Sequence, residues 1–293
     1  MPVFSDPGRG ILMLSPHSFT PAHRRTGTIE YFSVIIDGKG TLTYSTPVQY
    51  ERAVLTELRH IHNSLTGRAL FREFQKRSGH SLRITPYENT VLNAFAQADD
   101  LRHATLKGQP ERSGSSGQIL LDAAGKSTIG DGTGSNSDVS FTPRIFTNYC
   151  NQHKHAHRSG AQPDEVLFHE MVHATRQMRG ILDPLPLGWM YDTEEEFFAI
   201  VLANIYASET GRPIDLRSDH HGFEHLTTDV DAKFLPKKDN ADYRYRLIDK
   251  LVHQEPTMTH ELRSIHCHFN PIRRYFELER TALSAHPRAF HRH

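Results

Sequence analysis

No stretch of this sequence is apolar for long enough to cross a membrane, and the run Ile11-Leu12-Met13-Leu14 is too short for the core of a cleavable signal peptide. Net charge is also missing: 34 Lys and Arg stand against 34 Asp and Glu among 293 residues. That balance offers no basic field for nucleic acid or for an anionic membrane surface. Only two cysteines occur, Cys150 and Cys267, which excludes a disulfide framework and fits a reducing compartment. Histidine is the abundant type, at 21 residues, so mild acid should make the protein strongly basic. The first 26 residues, with Pro2, Pro7, Pro16 and Pro21 among scattered Ser, predict a disordered tail, the kind of segment that an export route without a cleavable leader reads.

The chemistry concentrates in His169-Glu170-Met171-Val172-His173. Residues four apart on an α-helix lie one above the other, so the two imidazoles point at one spot, and that spot suits zinc. Glu170 is one step round the helix, placed to accept a proton from the attacking water of a hydrolytic reaction. The flanks predict a helix from about Pro163 to Arg179: Pro163 suits a first helical position, Asp164 and Glu165 oppose the positive end of the dipole, and Gly180 stops it.

A catalytic zinc takes three protein ligands and leaves one position open. A second helix is predicted from Thr193 through Tyr206, with Asp192 or Thr193 as N-cap, and it begins with Glu194-Glu195-Glu196. Glu196 shares a face with Ala199, Ile200 and Ala203, where small side chains allow close approach to the histidine helix, so the third-ligand assignment falls on Glu196. Glu195 is the second choice, and Glu194 reads as a solvated first-turn charge. Beyond this helix, His220 and His221 in a polar loop are candidates for a donor that stabilises a developing oxyanion.

The remaining elements read as scaffold. The run 28–37 predicts a strand and Thr41–Tyr44 its hairpin partner across Gly38–Gly40. A helix opens at Pro47 and ends before Asn63, and another runs from Thr66 towards Gly79; His60 and His62 read as surface residues. Short strands are expected at Ser81–Thr85 and Gln118–Asp122. Gly130–Ser135 resembles a phosphate loop in composition only, since no Lys follows and a strand comes next. That strand, Asp138–Thr142, is the expected exposed edge for an extended substrate. His153, His155 and His157 read as an exposed loop. Helices are expected at Asn240–Val252 and from Pro271 to Leu278.

Several stretches together resemble the NleD family of zinc metallopeptidases, effectors delivered by type III secretion: Thr66-Gly67-Arg68 with Leu70, Gly132–Ser135 leading to Val139-Ser140, the histidine motif, Glu195-Glu196 with Ala199, Asn204 and Tyr206, then Gly211, Pro213 and Leu216-Arg217. The resemblance spans about residues 50 to 220. It implies an α+β, zincin-like metallopeptidase fold with a small sheet, an HExxH helix and a second ligand-bearing helix. It also implies one Zn2+ per chain held by His169, His173 and Glu196, Glu170 as general base, and a host signalling protein as substrate, cleaved in the host cytoplasm after secretion. The family's loop after Leu-Arg tends to offer Tyr where this chain has His220 and His221, and the long C-terminal segment is additional. The expected layout is therefore a tail (1–26), a metallopeptidase domain (27–221) and a helical extension (222–293) over the substrate entrance. The alternatives are a protein-interaction module with structural zinc or none, and a metal-dependent amidase acting on a small amide or cell-wall peptide.

Overall fold

The computed structural model describes residues 22–24, 28–76, 79–88, 93–153, 159–188, 190–212, 216–220 and 224–285. Of the expected tail, only part of its last residues is therefore described. The run 28–37 is not one strand: β1 (Ala22–Arg24), β2 (Thr28–Tyr31) and β3 (Val34–Asp37) form an antiparallel meander. Its second turn is Phe32-Ser33, both at positive φ (50° and 67°), the left-handed pair that matches the twist of a two-residue hairpin. Packing offsets that backbone cost, since the Phe32 ring stacks on His62 at 4.5 Å and lies 5.4 Å from Phe71. His62 is thus half-buried in an aromatic cluster, against expectation, and Thr41–Tyr44 belongs to no strand.

Helices α1 (Pro47–Asn63) and α2 (Leu65–Gln75) follow, capped by the hydroxyls of Thr46 and Ser64. The sheet is completed by β4 (Leu82–Thr85), β5 (Phe95–Ala98) and β6 (Ser137–Ser140) in the order β1-β2-β3-β4-β6-β5. The pairs β3/β4 and β4/β6 are parallel, and β5 is antiparallel to β6. Val34, Ile36, Leu82, Ile84 and Val139 alternate along their strands and are fully buried, so one sheet face carries the core. The expected edge at Asp138–Thr142 is corrected here: β6 is sandwiched between two strands, and the edge is β5. Gln118–Asp122 makes only isolated bridges among the described residues.

After α3 (Leu101–Ala104) and α4 (Pro143–Gln152) comes α5 (Pro163–Met178), buried along its whole length. Gly180 ends the helical run at φ 66°. Gly134 lies against that terminus so closely that a Cβ there would meet the Met178 carbonyl oxygen at 2.2 Å. Gly134 therefore serves close backbone packing on the end of α5, and Gly130 on Thr105. A two-stranded ribbon, β7 (Pro186–Gly188) and β8 (Asp192–Thr193), leads into α6 (Glu194–Glu209). The chain then adds α7 (Asp231–Phe234), α8 (Tyr243–Gln254), α9 (Pro256–Leu262) and α10 (Pro271–Ala285). Their apolar residues, among them Phe234, Leu251, Leu262 and Ile272, join the same buried cluster as the sheet. No helix among the described residues is long and apolar enough to cross a membrane.

Candidate metal centre

Helices α5 and α6 run side by side, and a polar clasp closes each end of the pair. At one end Asp164 accepts the Tyr206 hydroxyl at 2.5 Å and two Arg212 guanidinium nitrogens at 2.9 and 2.8 Å. At the other, Arg176 donates through Nε and Nη2 to Glu195 at 2.5 and 2.9 Å. Between the clasps Phe168 stacks on Tyr206, ring centroids 4.9 Å apart and nearly parallel. The three first-turn glutamates of α6 consequently have three different partners. Glu194 faces Lys250 at 2.5 Å, so it is ion-paired rather than merely solvated. Glu195 is bound to Arg176 and to the Asp183 N–H at 2.9 Å, so both of its oxygens are engaged by donors. Glu196 alone of the three turns to the histidines.

Three atoms converge there. His169 Nε2 is 3.1 Å from Glu196 Oε2, His173 Nε2 is 3.4 Å from the same oxygen, and the two Nε2 atoms are 3.1 Å apart. Zinc–nitrogen and zinc–oxygen bonds of about 2.0–2.1 Å in a tetrahedron require ligand atoms about 3.3 Å apart, so the triangle fits that ion. A second triad overlaps the first: His169, Glu196 and His220 offer ligand atoms all within 4.8 Å of one another. His220 Nε2 is 3.3 Å from Glu196 Oε2, and its Nδ1 is fixed by Asp192 Oδ2 at 2.7 Å. A carboxylate behind an imidazole is the arrangement that sets its tautomer and leaves Nε2 for a ligand or substrate. His221 lies outside the described residues, as do His155 and His157; His153 is exposed and stacks on Tyr149.

The described residues around His220 are held by hydrogen bonds to α6. Asn204 of α6 exchanges two hydrogen bonds of 2.8 Å with the backbone of Arg217, whose guanidinium donates to the carbonyls of Asp219 and His220. Asp192 adopts a left-handed backbone, φ 59°, directly before the N-cap Thr193, which places its carboxylate beside the loop. Thr193 in turn accepts the Glu196 N–H at 3.3 Å. Neither Asp192, Asn204 nor Arg217 was assigned a site role from sequence; the Asn204 and Leu216-Arg217 pattern was visible only as part of the family resemblance.

Electrostatics separate the two glutamates of the centre. Burial pushes the Glu170 carboxyl up, to about 7, with the Glu196 charge adding to the rise, against opposing pulls from His173, Arg217 and the Ala96 N–H that it accepts. A carboxylate near neutrality is poised to exchange protons with water. Burial also opposes charge on Glu196, but His173 and His169 overcome it and hold this carboxyl well below its usual range. Burial lowers His169, while Glu196 outweighs burial at His173 and raises it.

Glu170, His173, Glu196 and His220 line one wall of a cavity of about 480 Å³. Edge strand β5 forms a second wall, and Arg112, Ser113 and Leu120 from the Gly/Ser-rich segment a third. His169 sits behind, against Ala203 and Asn204. Ala96, at the middle of β5, faces α5: its carbonyl accepts the Gln177 amide at 3.2 Å. This edge escaped the sequence reading because Phe95-Ala96-Gln97-Ala98 carries little β propensity.

Comparison with family models matches residues 39–219, more than half of the chain, to Peptidase M91, described as an effector protein family. Comparison with curated proteins gives no match.

Proposed function

Because the chain belongs to the Peptidase M91 family of effector proteins, we propose that it is a zinc-dependent endopeptidase that cleaves a host signalling protein. The observation that carries this reading is the convergence of His169 Nε2, His173 Nε2 and Glu196 Oε2 at 3.1–3.4 Å, with His173 and Glu196 on the wall of a cleft that Glu170 also lines. Those three residues would hold the metal. Zinc supplies polarisation of the scissile carbonyl and a water of lowered pKa.

The chain's own residues do the rest. An extended substrate lies beside β5, which lines the cleft; at Ala96 the N–H and carbonyl are held by Glu170 and Gln177, so there the strand shapes the groove rather than pairing with substrate. Glu170 takes a proton from the attacking water and returns it to the leaving amine, a role that its raised carboxyl suits. His220 acts here in its doubly protonated form: Nδ1–H donates to Asp192 and Nε2–H donates to the oxyanion that develops. The protein works after secretion, in the host cytoplasm; a chain with only two cysteines suits a reducing medium.

The test is to label new protein N-termini in host-cell lysate treated with wild type or with Glu170→Ala. Fresh termini with the wild type only, while the variant keeps its zinc, support the reading. Equal cleavage by zinc-loaded Glu170→Ala would sink it. A second reading has a specific observation behind it: if His220 is a fourth protein ligand, as its distance from Glu196 allows, the site is closed and the zinc structural. His220→Ala would then lose zinc rather than rate.

A further inference from the structure

We propose that the α8–α9 segment is a clamp that sets the direction of the metal-binding carboxylate, with Lys250 and Glu255 as positioning residues. This rests on the metal-centre reading and adds to it a part of the chain beyond residue 219, where the family match ends. Three residues of that segment reach the ends of the ligand helices. Lys250 Nζ bridges Glu194 at 2.5 Å and Asp183 at 3.1 Å. Gln254 Oε1 accepts Arg176 Nη2 at 2.8 Å. Glu255, only 1% exposed, pairs with Arg179 and lies 3.5 Å from Arg176 Nη1.

Lys250 holds the first turn of α6 directly, through Glu194, while Gln254 and Glu255 act on it through Arg176, which binds Glu195. Successive helical residues point about 100° apart, so holding Glu194 through Lys250 and Glu195 through Arg176 fixes the rotation of the turn that carries Glu196. At a side-chain radius of about 6 Å, a rotation of about 20° would carry the Glu196 carboxylate by about 2 Å, a full metal–ligand bond length. Arg176 is three residues after His173, so the same cluster ties the histidine helix to the glutamate turn. Glu255 and Gln254 complete the surroundings of a guanidinium that is 1% exposed and would otherwise have Glu195 and the Ile181 carbonyl for its polar partners.

The experiment uses the full chain and titrates zinc against a chromophoric chelator. Lys250→Met and Glu255→Gln should each weaken zinc binding on the order of tenfold, while Lys250→Arg stays within about twofold of wild type. Ile272→Ala, a buried change in α10, should lower the melting temperature and leave zinc affinity in place. Unchanged affinity in both Lys250→Met and Glu255→Gln overturns the clamp, and so does an equal loss in Ile272→Ala. Amide hydrogen exchange of residues 194–198 in metal-free protein gives a readout independent of zinc. Faster exchange in Lys250→Met supports the clamp, and unchanged exchange overturns it. Should wild type bind no zinc, the metal reading fails while the exchange data still decide whether the clamp exists.

Discussion

Glu195→Gln and Glu196→Gln differ by one position and should fail differently, the first mainly in stability and the second mainly in zinc affinity. Glu195 is 2% exposed and takes two hydrogen bonds from Arg176, itself 1% exposed. Neutralising it leaves that guanidinium facing Gln254 and a Glu255 oxygen 3.5 Å away. Breaking a buried ion pair from one side costs about 3–5 kcal/mol. At about 2–4 °C per kcal/mol for a chain of this size, the melting temperature of metal-free protein should fall on the order of 10 °C. Glu196→Gln instead keeps an oxygen beside His169 and His173, and an imidazole, unlike a guanidinium, can give up its charge, so its metal-free melting temperature should fall less than that of Glu195→Gln. Its zinc affinity should fall at least about 100-fold, more than the loss of an outer partner costs. Thermal melts with chelator present, beside zinc titrations, separate the two. A Glu195→Gln chain that melts normally yet binds no zinc would refute the assignment of the two roles.

Three further outcomes are expected. His220→Asn should retain zinc and lose about 100-fold in kcat; loss of zinc would instead make His220 a ligand. Ala96→Pro removes the N–H that Glu170 accepts without touching the bonds that β5 makes to β6, so peptide cleavage should fall at least about tenfold in a folded protein. Retained cleavage would separate the β5 edge from the chemistry. Burial raises the Asp164 carboxyl, but Arg212 and Tyr206 outweigh it and leave it below the usual carboxylate range. A lowered folded value means that its stabilisation is complete above the unfolded value of about 4 and is lost as pH falls through the folded one. Asp164→Asn should therefore cost about 2 kcal/mol at pH 7 and less near pH 3, read by urea unfolding at both; a cost independent of pH would contradict the ion-pair role.

The two ligand helices were legible because their signals are local. Pro163 at the start and Gly180 at the end bound α5, and Thr193 caps α6 as one of two predicted residues. A spacing of four likewise put His169 and His173 on one face of α5, and the face that Glu196 shares with Ala199, Ile200 and Ala203 was read on α6 by the same periodicity. What escaped depends on distant partners. The separate fates of Glu194, Glu195 and Glu196 are set by Lys250, Arg176 and the histidines, and no spacing along α6 encodes Lys250, 56 residues away. The hairpin turn at Phe32-Ser33 was missed because neither residue is a customary left-handed one, and the packing that offsets it comes from His62 and Phe71. β5 was missed for its alanines, and with it the cleft's edge. His220 was named without its anchor, since Asp192 is bound across 28 residues of sequence.

The most direct measurement is the zinc content of purified wild type, His173→Ala and Glu196→Ala by elemental analysis. The expected result is about one zinc per chain in the wild type and none in either variant, all three folded. A folded wild type that takes up no added zinc, or a Glu196→Ala chain that keeps its metal, would contradict the two-helix centre.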